Sequence, residues 1–349
     1  MALSIAEFDR ATFGVILHWG LYSVPAYDDV GSARGRRIQN GSEWYNERLN
    51  KGEPRTTEYH RSRYGADFKY ADFAGLFAAD KWDPDAWATL FRECGARYVV
   101  LTAKHHDGFC LWRTQTTRFN SYAGAAAKRD LVGELAAAVR KQGLVFGVYY
   151  SWMEFGRRFS RKYRDAVVWP QIRELQARYR PSLWWFDGDW VASAAEWQSA
   201  EIVRTVLKPR GSGGCLTNDR LGRGSKGVAG DWKVFDDRYL PASAPTVKWE
   251  HVDTIGYSWG RNRAQKAPAD YKTVAELWSL FLRTVALGGN FLLNLGPNAD
   301  GTLDAEEVAR LREFGSWVKT FMAVRDAPGV GLGSATAALC MSYLVTADR

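Results

Sequence analysis

Leu183-Trp184-Trp185-Phe186-Asp187-Gly188-Asp189-Trp190 is an apolar, aromatic run that stops on a carboxylate and a glycine. Four large side chains in succession, with no polar alternation, read as a strand buried on both faces, and Asp-Gly reads as the turn that ends it. Strands of this kind belong to parallel sheets covered by helices. In an α/β barrel the C-terminal strand end opens onto the face that bears the site. Asp187 would then stand between Trp185 and Trp190, two flat part-polar surfaces of the type sugar rings stack on. A lone Asp-Gly more often caps a helix or shapes a turn, so the weight falls on whether other strands end the same way.

Several do. Residues 13–18, 98–102, 144–150, 215–218, 246–249 and 291–295 are further short apolar runs that end in polar or turn residues. Between several of these strands lie helical patterns, at 85–94, 131–142, 169–179, 196–207, 274–287 and 305–321. The βα alternation predicts either a barrel or a doubly wound sheet. Polar residues gather after several different strand ends, as a ring of βα loops requires, whereas a doubly wound sheet would collect them at one switch point. The expected fold is therefore α/β, a (β/α)8-like (TIM) barrel over residues 1–325. The tail, 326–349, is expected to be a linker with one short apolar stretch at 337–345, too short for a domain of its own. The patches at 123–128 and 211–214 are short enough to be loops.

With 349 residues, 46% hydrophobic and 25% charged, the chain is long enough for one large barrel. The excess of 47 Lys and Arg over 39 Asp and Glu gives a net charge of +8. It is spread along the chain and reads as a solvated surface, not a nucleic-acid groove. Cys94, Cys110, Cys215 and Cys340 lack CxxC spacing and read as free thiols. The first ten residues do not form a secretory signal as written, and no stretch approaches a membrane span. A cytoplasmic enzyme fits, and a secreted or periplasmic one trimmed of its signal would read the same.

His18-Trp19-Gly20 ends the first expected strand and Lys104-His105-His106-Asp107-Gly108-Phe109 the second. A lone histidine is usually a satisfied core residue, but adjacent imidazoles are costly to bury and rarely needed for packing. A metal is the first rival reading. Neighbours on a strand point to opposite faces, so His105 and His106 would meet at one ion only if the backbone turned there. No HExxH pattern supplies further ligands. Glu43-Trp44-Tyr45 lies in a long loop and Tyr149-Tyr150-Ser151 ends the third strand. Carboxylates and imidazoles bond sugar hydroxyls while rings cover apolar faces. For Trp44 a pocket role and simple packing weigh about evenly, while Tyr150 leans towards the pocket because it sits at a strand end. Lys248-Trp249-Glu250 supplies a second acid after another expected strand, and two acids on separate strand ends suit a glycosidase. Arg220, after Asn218-Asp219, could fork onto a carboxylate or form a surface ion pair.

Taken in order, Phe13-Gly-Val-Ile-Leu-His-Trp-Gly-Leu-Tyr-Ser-Val-Pro25, Glu43-Trp-Tyr, Lys104-His-His-Asp-Gly-Phe, Tyr149-Tyr-Ser, Trp185-Phe-Asp-Gly, Lys248-Trp-Glu, Ser258-Trp-Gly and Gly288-Gly-Asn-Phe-Leu-Leu-Asn-Leu-Gly-Pro resemble the α-L-fucosidases of glycoside hydrolase family 29. So many motifs in one order are far more specific than any one of them. The resemblance covers roughly the first 320 residues. It implies a (β/α) barrel followed by a small β-sandwich, of which residues 326–349 would be at most a remnant. It also implies removal of terminal α-L-fucose with retention, with Asp187 as nucleophile and Glu250 as general acid/base. His18, Glu43, Trp44, His105, His106, Tyr150, Trp185 and Arg220 would line the fucose pocket. No cofactor is required, and the partners would be fucosylated oligosaccharides or glycoconjugates, with no nucleic acid and no membrane. Apolar surface left without the sandwich would favour a homo-oligomer. Arg261 stands where the family often has Tyr, which bears on the leaving-group side. A fucose-binding protein on a dead barrel would not need two acids, and a transfucosidase is the same chemistry with a sugar hydroxyl in place of water.

Overall fold

A computed structural model describes residues 3–28, 41–209 and 214–327. Eight strands form one sheet: β1 Phe13–Leu17, β2 Tyr98–Lys104, β3 Val145–Ser151, β4 Leu183–Asp187, β5 Leu216–Thr217, β6 Lys233–Val234, β7 Trp249–Thr254 and β8 Gly289–Leu295. Their order is β5-β4-β3-β2-β1-β8-β7-β6 and every pairing is parallel. A single parallel bridge, Asn218 to Trp232, spans the two ends of that order. The sheet thus curls into the expected (β/α)8-like barrel, irregular on the side where β5 and β6 are two residues long.

Alternation along the strands divides the apolar residues into two cores. Ile16, Val100, Tyr149, Leu183, Trp185, Val252 and Leu292 fill the barrel, while Val15, Leu101, Val148, Trp184, Phe186 and Leu293 face the helices. The helix Leu131–Lys141 shows how the outer layer forms. Asp130 caps it by accepting from Gly133 N, and Leu131, Val132, Leu135, Ala136, Ala138 and Val139 make a buried stripe. Losing one such leucine to alanine costs about 2–5 kcal/mol. At the other end of the barrel the helix Ile5–Ala11 inserts Phe8, which packs on Tyr98 and Trp232 and closes the bottom.

Three elements differ from the sequence pattern. The seventh strand begins at Trp249, not at residue 246, because its inward and outward positions include Glu250, His251 and Asp253, all buried with partners, so polarity conceals it. β6 is too short for any periodicity to mark. The helix expected over 196–207 is broken at Gln198, which takes the left-handed conformation (φ 52°) between Ala194–Trp197 and Ser199–Ile202. The last helix, Ala305–Arg325, ends the barrel; the apolar stretch 337–345 and Cys340 lie outside the described residues.

Candidate active site

The C-terminal strand ends surround a cavity of about 340 Å³. Its walls bring together His18 after β1, His105 and His106 after β2, Trp185 and Asp187 on β4, Arg220 after β5, and Glu43 and Trp44 from the first long loop. The turn that follows Asp187 needs Gly188. Its φ is +75°, and a Cβ there would lie 2.7 Å from Met153 Cγ.

Asp187 is the most constrained group in the cavity. Oδ1 accepts from Arg220 Nη1 at 2.8 Å and Oδ2 from the Tyr149 hydroxyl at 2.7 Å, with His106 Nε2 3.5 Å away. Burial alone would raise its pKa, but the Arg220 charge, His106 and the Tyr149 hydroxyl outweigh it and hold the carboxyl well below the usual range. Arg220 also donates through Nη2 to Asp237 Oδ1 at 2.6 Å and to the Phe235 carbonyl at 3.0 Å. One guanidinium therefore forks between two carboxylates, both of which line the cavity.

The backbone leaves the strand register at Thr102/Lys104, which lets both neighbouring imidazoles face the cavity, their ring centroids 4.3 Å apart. Burial, together with the nearby His106 and His18, keeps His105 well below its ordinary pKa, so it is neutral. His18 is also lowered by burial. Its Nδ1 lies 2.6 Å from Asn294 Oδ1, and Asn294 donates its own Nδ2 to the Trp259 carbonyl. That orients the amide so that His18 Nδ1 is the donor. Glu43 accepts from Gly41 N at 2.7 Å and Gly260 N at 3.0 Å, fixing the long loop to the segment after β7. Trp44 is half-buried against His106 and Phe155, a cavity wall as well as a packing residue.

Two expected site residues lie elsewhere. Tyr150 points outward from β3 into the helix layer, its hydroxyl donating to Gln171 Oε1 at 2.7 Å and accepting from Lys104 Nζ at 3.2 Å. Strand alternation gives the cavity position to Tyr149. Glu250 is the second residue of β7, near the barrel bottom, and is not part of the cavity wall. Its oxygens are taken by Tyr98 and Trp185. The cavity holds instead Asp189, Asp236 and Asp237, with Arg238 and Trp259. Of these, only Asp189 and Trp259 stood in motifs the sequence marked. Asp236 and Asp237 follow the two-residue β6 and carry no pattern.

Arg261 is turned away from the cavity. It pairs with Asp304 at 2.8 Å and bonds Asn298, bracing the last helix and not the leaving-group side. Among the described residues no group of three or more His, Cys, Asp or Glu side chains is arranged to hold a metal ion.

Comparison with known proteins gives the family. A family model described as alpha-L-fucosidase matches residues 4–322. Human plasma alpha-L-fucosidase is 36% identical over 328 residues, spanning 90% of this chain and 67% of that protein. The solved alpha-fucosidase of Thermotoga maritima superposes with a TM-score of 0.79 at 37% identity, covering 91% of this chain and 74% of that one. The same protein has been solved with fucose and with a mechanism-based inhibitor, each with a TM-score of 0.76 to this chain. On fold and sequence alike, the chain belongs to the α-L-fucosidases, glycoside hydrolases of family 29.

Proposed function

We propose that the chain is a retaining exo-α-L-fucosidase that works by double displacement, with Asp187 as nucleophile and Asp237, not Glu250, as general acid/base. The observation that carries this reading is the Arg220 fork, which holds the two carboxylates a single guanidinium's width apart. Two carboxylates bound to neighbouring nitrogens of one guanidinium are near enough to act as a retaining pair, whose carboxyl groups stand about 5–5.5 Å apart. The depressed pKa keeps Asp187 an anion, ready to attack. The Asp237 side chain is 43% exposed, so it can meet both a leaving group and the water that follows it. Asp236 is 88% exposed and pairs with Lys226 3.4 Å away, and neither it nor Asp189 touches the Arg220 fork.

In the first step an Asp187 oxygen bonds to the anomeric carbon as the C–O bond to the aglycone breaks and Asp237 delivers its proton to that oxygen. In the second, Asp237 takes a proton from water, the water oxygen displaces Asp187, and fucose leaves with its original configuration. A sugar hydroxyl in place of water gives transfucosylation. The T. maritima relative's mechanism-based inhibitor complex supports covalent chemistry, and its fucose complex supports fucosylated glycans as substrates. A cavity of about 340 Å³ at the strand ends suits a terminal monosaccharide.

The test is azide rescue with p-nitrophenyl α-L-fucoside. Asp187→Ala should lose at least about a thousandfold in kcat and regain activity with azide, yielding the fucosyl azide of inverted configuration. Asp237→Ala should yield the retained azide. Interchanged products, or rescue of neither variant, would overturn the assignment.

A further inference from the structure

Glu250 is only 1% exposed and stands level with Val234 of β6 and Asn290 of β8 at the barrel bottom. Oε1 accepts from the Tyr98 hydroxyl at 2.6 Å and Oε2 from Trp185 Nε1 at 2.9 Å. Space for this is built in. Opposite Tyr98 on β1 is Gly14, where a Cβ would lie 2.3 Å from Tyr98 Cε2, so only glycine lets that ring pass and reach the carboxyl. The surrounding interior is filled by Ile16, Val100, Leu183 and Leu292. An apolar side chain in place of Glu250 would avoid the cost of desolvating a carboxylate. What the carboxylate adds is a fixed acceptor beneath the Trp185 indole.

Trp185 is the floor of the cavity. The Arg220 guanidinium lies over its ring, 4.8 Å from the centroid, and Tyr149 is stacked beside it at 5.5 Å and 16°. Arg220 and Tyr149 are the two groups that hydrogen-bond Asp187, and Arg220 also holds Asp237. The tilt of one indole therefore bears on both carboxylates. We infer that Glu250 is a positioning residue: through the Trp185 indole N–H it fixes the floor on which Arg220 and Tyr149 hold the reacting acids, and so sets fucoside binding without touching the sugar. This rests on the reading of Asp187 and Asp237 as the reacting pair.

The anchor is linked to protons. Burial pushes the Glu250 carboxyl up to about 7, offset in part by Tyr98, Trp185 and Lys248. The groups around it are Tyr98 on β2, Trp185 on β4, Trp232 before β6, Lys248 before β7 and the uncharged Asn290 on β8. The Lys248 ammonium is paired with Asp9 at 2.6 Å. Ionised, Glu250 accepts two charge-assisted bonds. Once protonated, it can still donate to Tyr98, which can reverse its role, but Trp185 can only donate and keeps a weaker neutral bond. The floor is firm above pH 7 and loosens below it.

Steady-state kinetics on p-nitrophenyl α-L-fucoside from pH 5.5 to 9 test this with the wild type, Glu250→Gln and Tyr98→Phe. In the wild type KM should rise about 5- to 10-fold as pH falls through about 7, the difference between a charge-assisted and a neutral hydrogen bond. Glu250→Gln should hold KM at the acid-form value at every pH, with a loss of kcat far short of the roughly thousandfold that removing an acid/base brings. Tyr98→Phe removes a donor to the anion, so the KM transition should move to higher pH, which a merely structural role would not produce. An unchanged KM profile in Glu250→Gln overturns the inference and leaves the Asp187–Asp237 pair standing. Loss of kcat by about a thousandfold, restored by azide, would make Glu250 itself the acid/base and overturn both. Where Glu250→Gln fails to fold, Tyr98→Phe decides alone, and an unmoved transition overturns the inference.

Discussion

Asp187 and Arg220 meet through one Nη1–Oδ1 hydrogen bond of 2.8 Å, with both side chains almost wholly buried. Each is expensive to bury alone; Arg220 is the main compensation for Asp187, and Arg220 is itself compensated first by Asp237 and then by Asp187. Arg220→Ala would leave burial of Asp187 opposed only by Tyr149 and His106, so its pKa should rise. An acid whose ionised form attacks is lost as pH falls through its pKa, so the acidic limb of kcat/KM should move to higher pH. A pH profile of Arg220→Ala with an unshifted acidic limb and full activity would remove Arg220 from the site. Arg220→Lys cannot fork between two carboxylates and should recover little.

Asp237 is tested by leaving-group dependence. In Asp237→Asn, fucosides whose aglycone is a good leaving group need no proton in the first step and should keep kcat/KM near wild type, while kcat falls because the water of the second step has lost its base. Alkyl or sugar aglycones should slow by about 10² to 10⁴-fold, the usual worth of general acid catalysis. The slope of log kcat/KM against aglycone pKa separates this from a binding defect. A uniform loss of kcat/KM across all substrates would return the proton donor to Asp189 or Asp236.

Tyr149 and Tyr150 are neighbours with opposite duties. Tyr149→Phe removes a hydrogen bond to Asp187 and should lower kcat about 10-fold or more with little change in Tm. Tyr150→Phe strips Gln171 and the buried Lys104 of a partner and should cost about 1–3 kcal/mol in stability while leaving kcat close to wild type. Thermal unfolding and kinetics on the two variants should therefore sort in opposite directions.

That pair shows where the sequence was legible and where it stopped. The run 183–187 announces β4 and its terminal Asp187 because an unbroken apolar strand is a strong signal and the turn glycine marks its end. His18, His105 and His106 are legible for the same reason. Which of two adjacent tyrosines faces inward depends on register, and a one-residue uncertainty in a strand reverses the answer. Glu250 was misplaced by the same mechanism on a larger scale. With β7 set to end at Trp249 the acid falls at the strand's open end, but β7 begins there, and the acid drops to the barrel bottom. Asp237 was invisible because a two-residue strand has no period and its importance lies in Arg220, seventeen residues away in sequence.

Glu307 offers a stability test that is independent of the site. It is buried at the start of the last helix, accepting from Gly296 N at 3.2 Å, and burial together with Asp304 pushes its carboxyl up to about 8. Between its unfolded pKa, about 4.3, and about 8 the folded chain holds a proton that the unfolded chain releases, so this group's contribution to stability falls as pH rises across that window. Above 8 both states are ionised and the penalty is constant. Glu307→Gln keeps an oxygen for Gly296 N and cannot ionise. Its Tm should match wild type near pH 5, exceed it by a few degrees, about 2–5 °C, near pH 8, and hold that margin above. Scanning calorimetry of both proteins from pH 5 to 9 reads the difference directly. A margin that does not grow with pH would mean that Glu307 is ionised and paired in the folded protein.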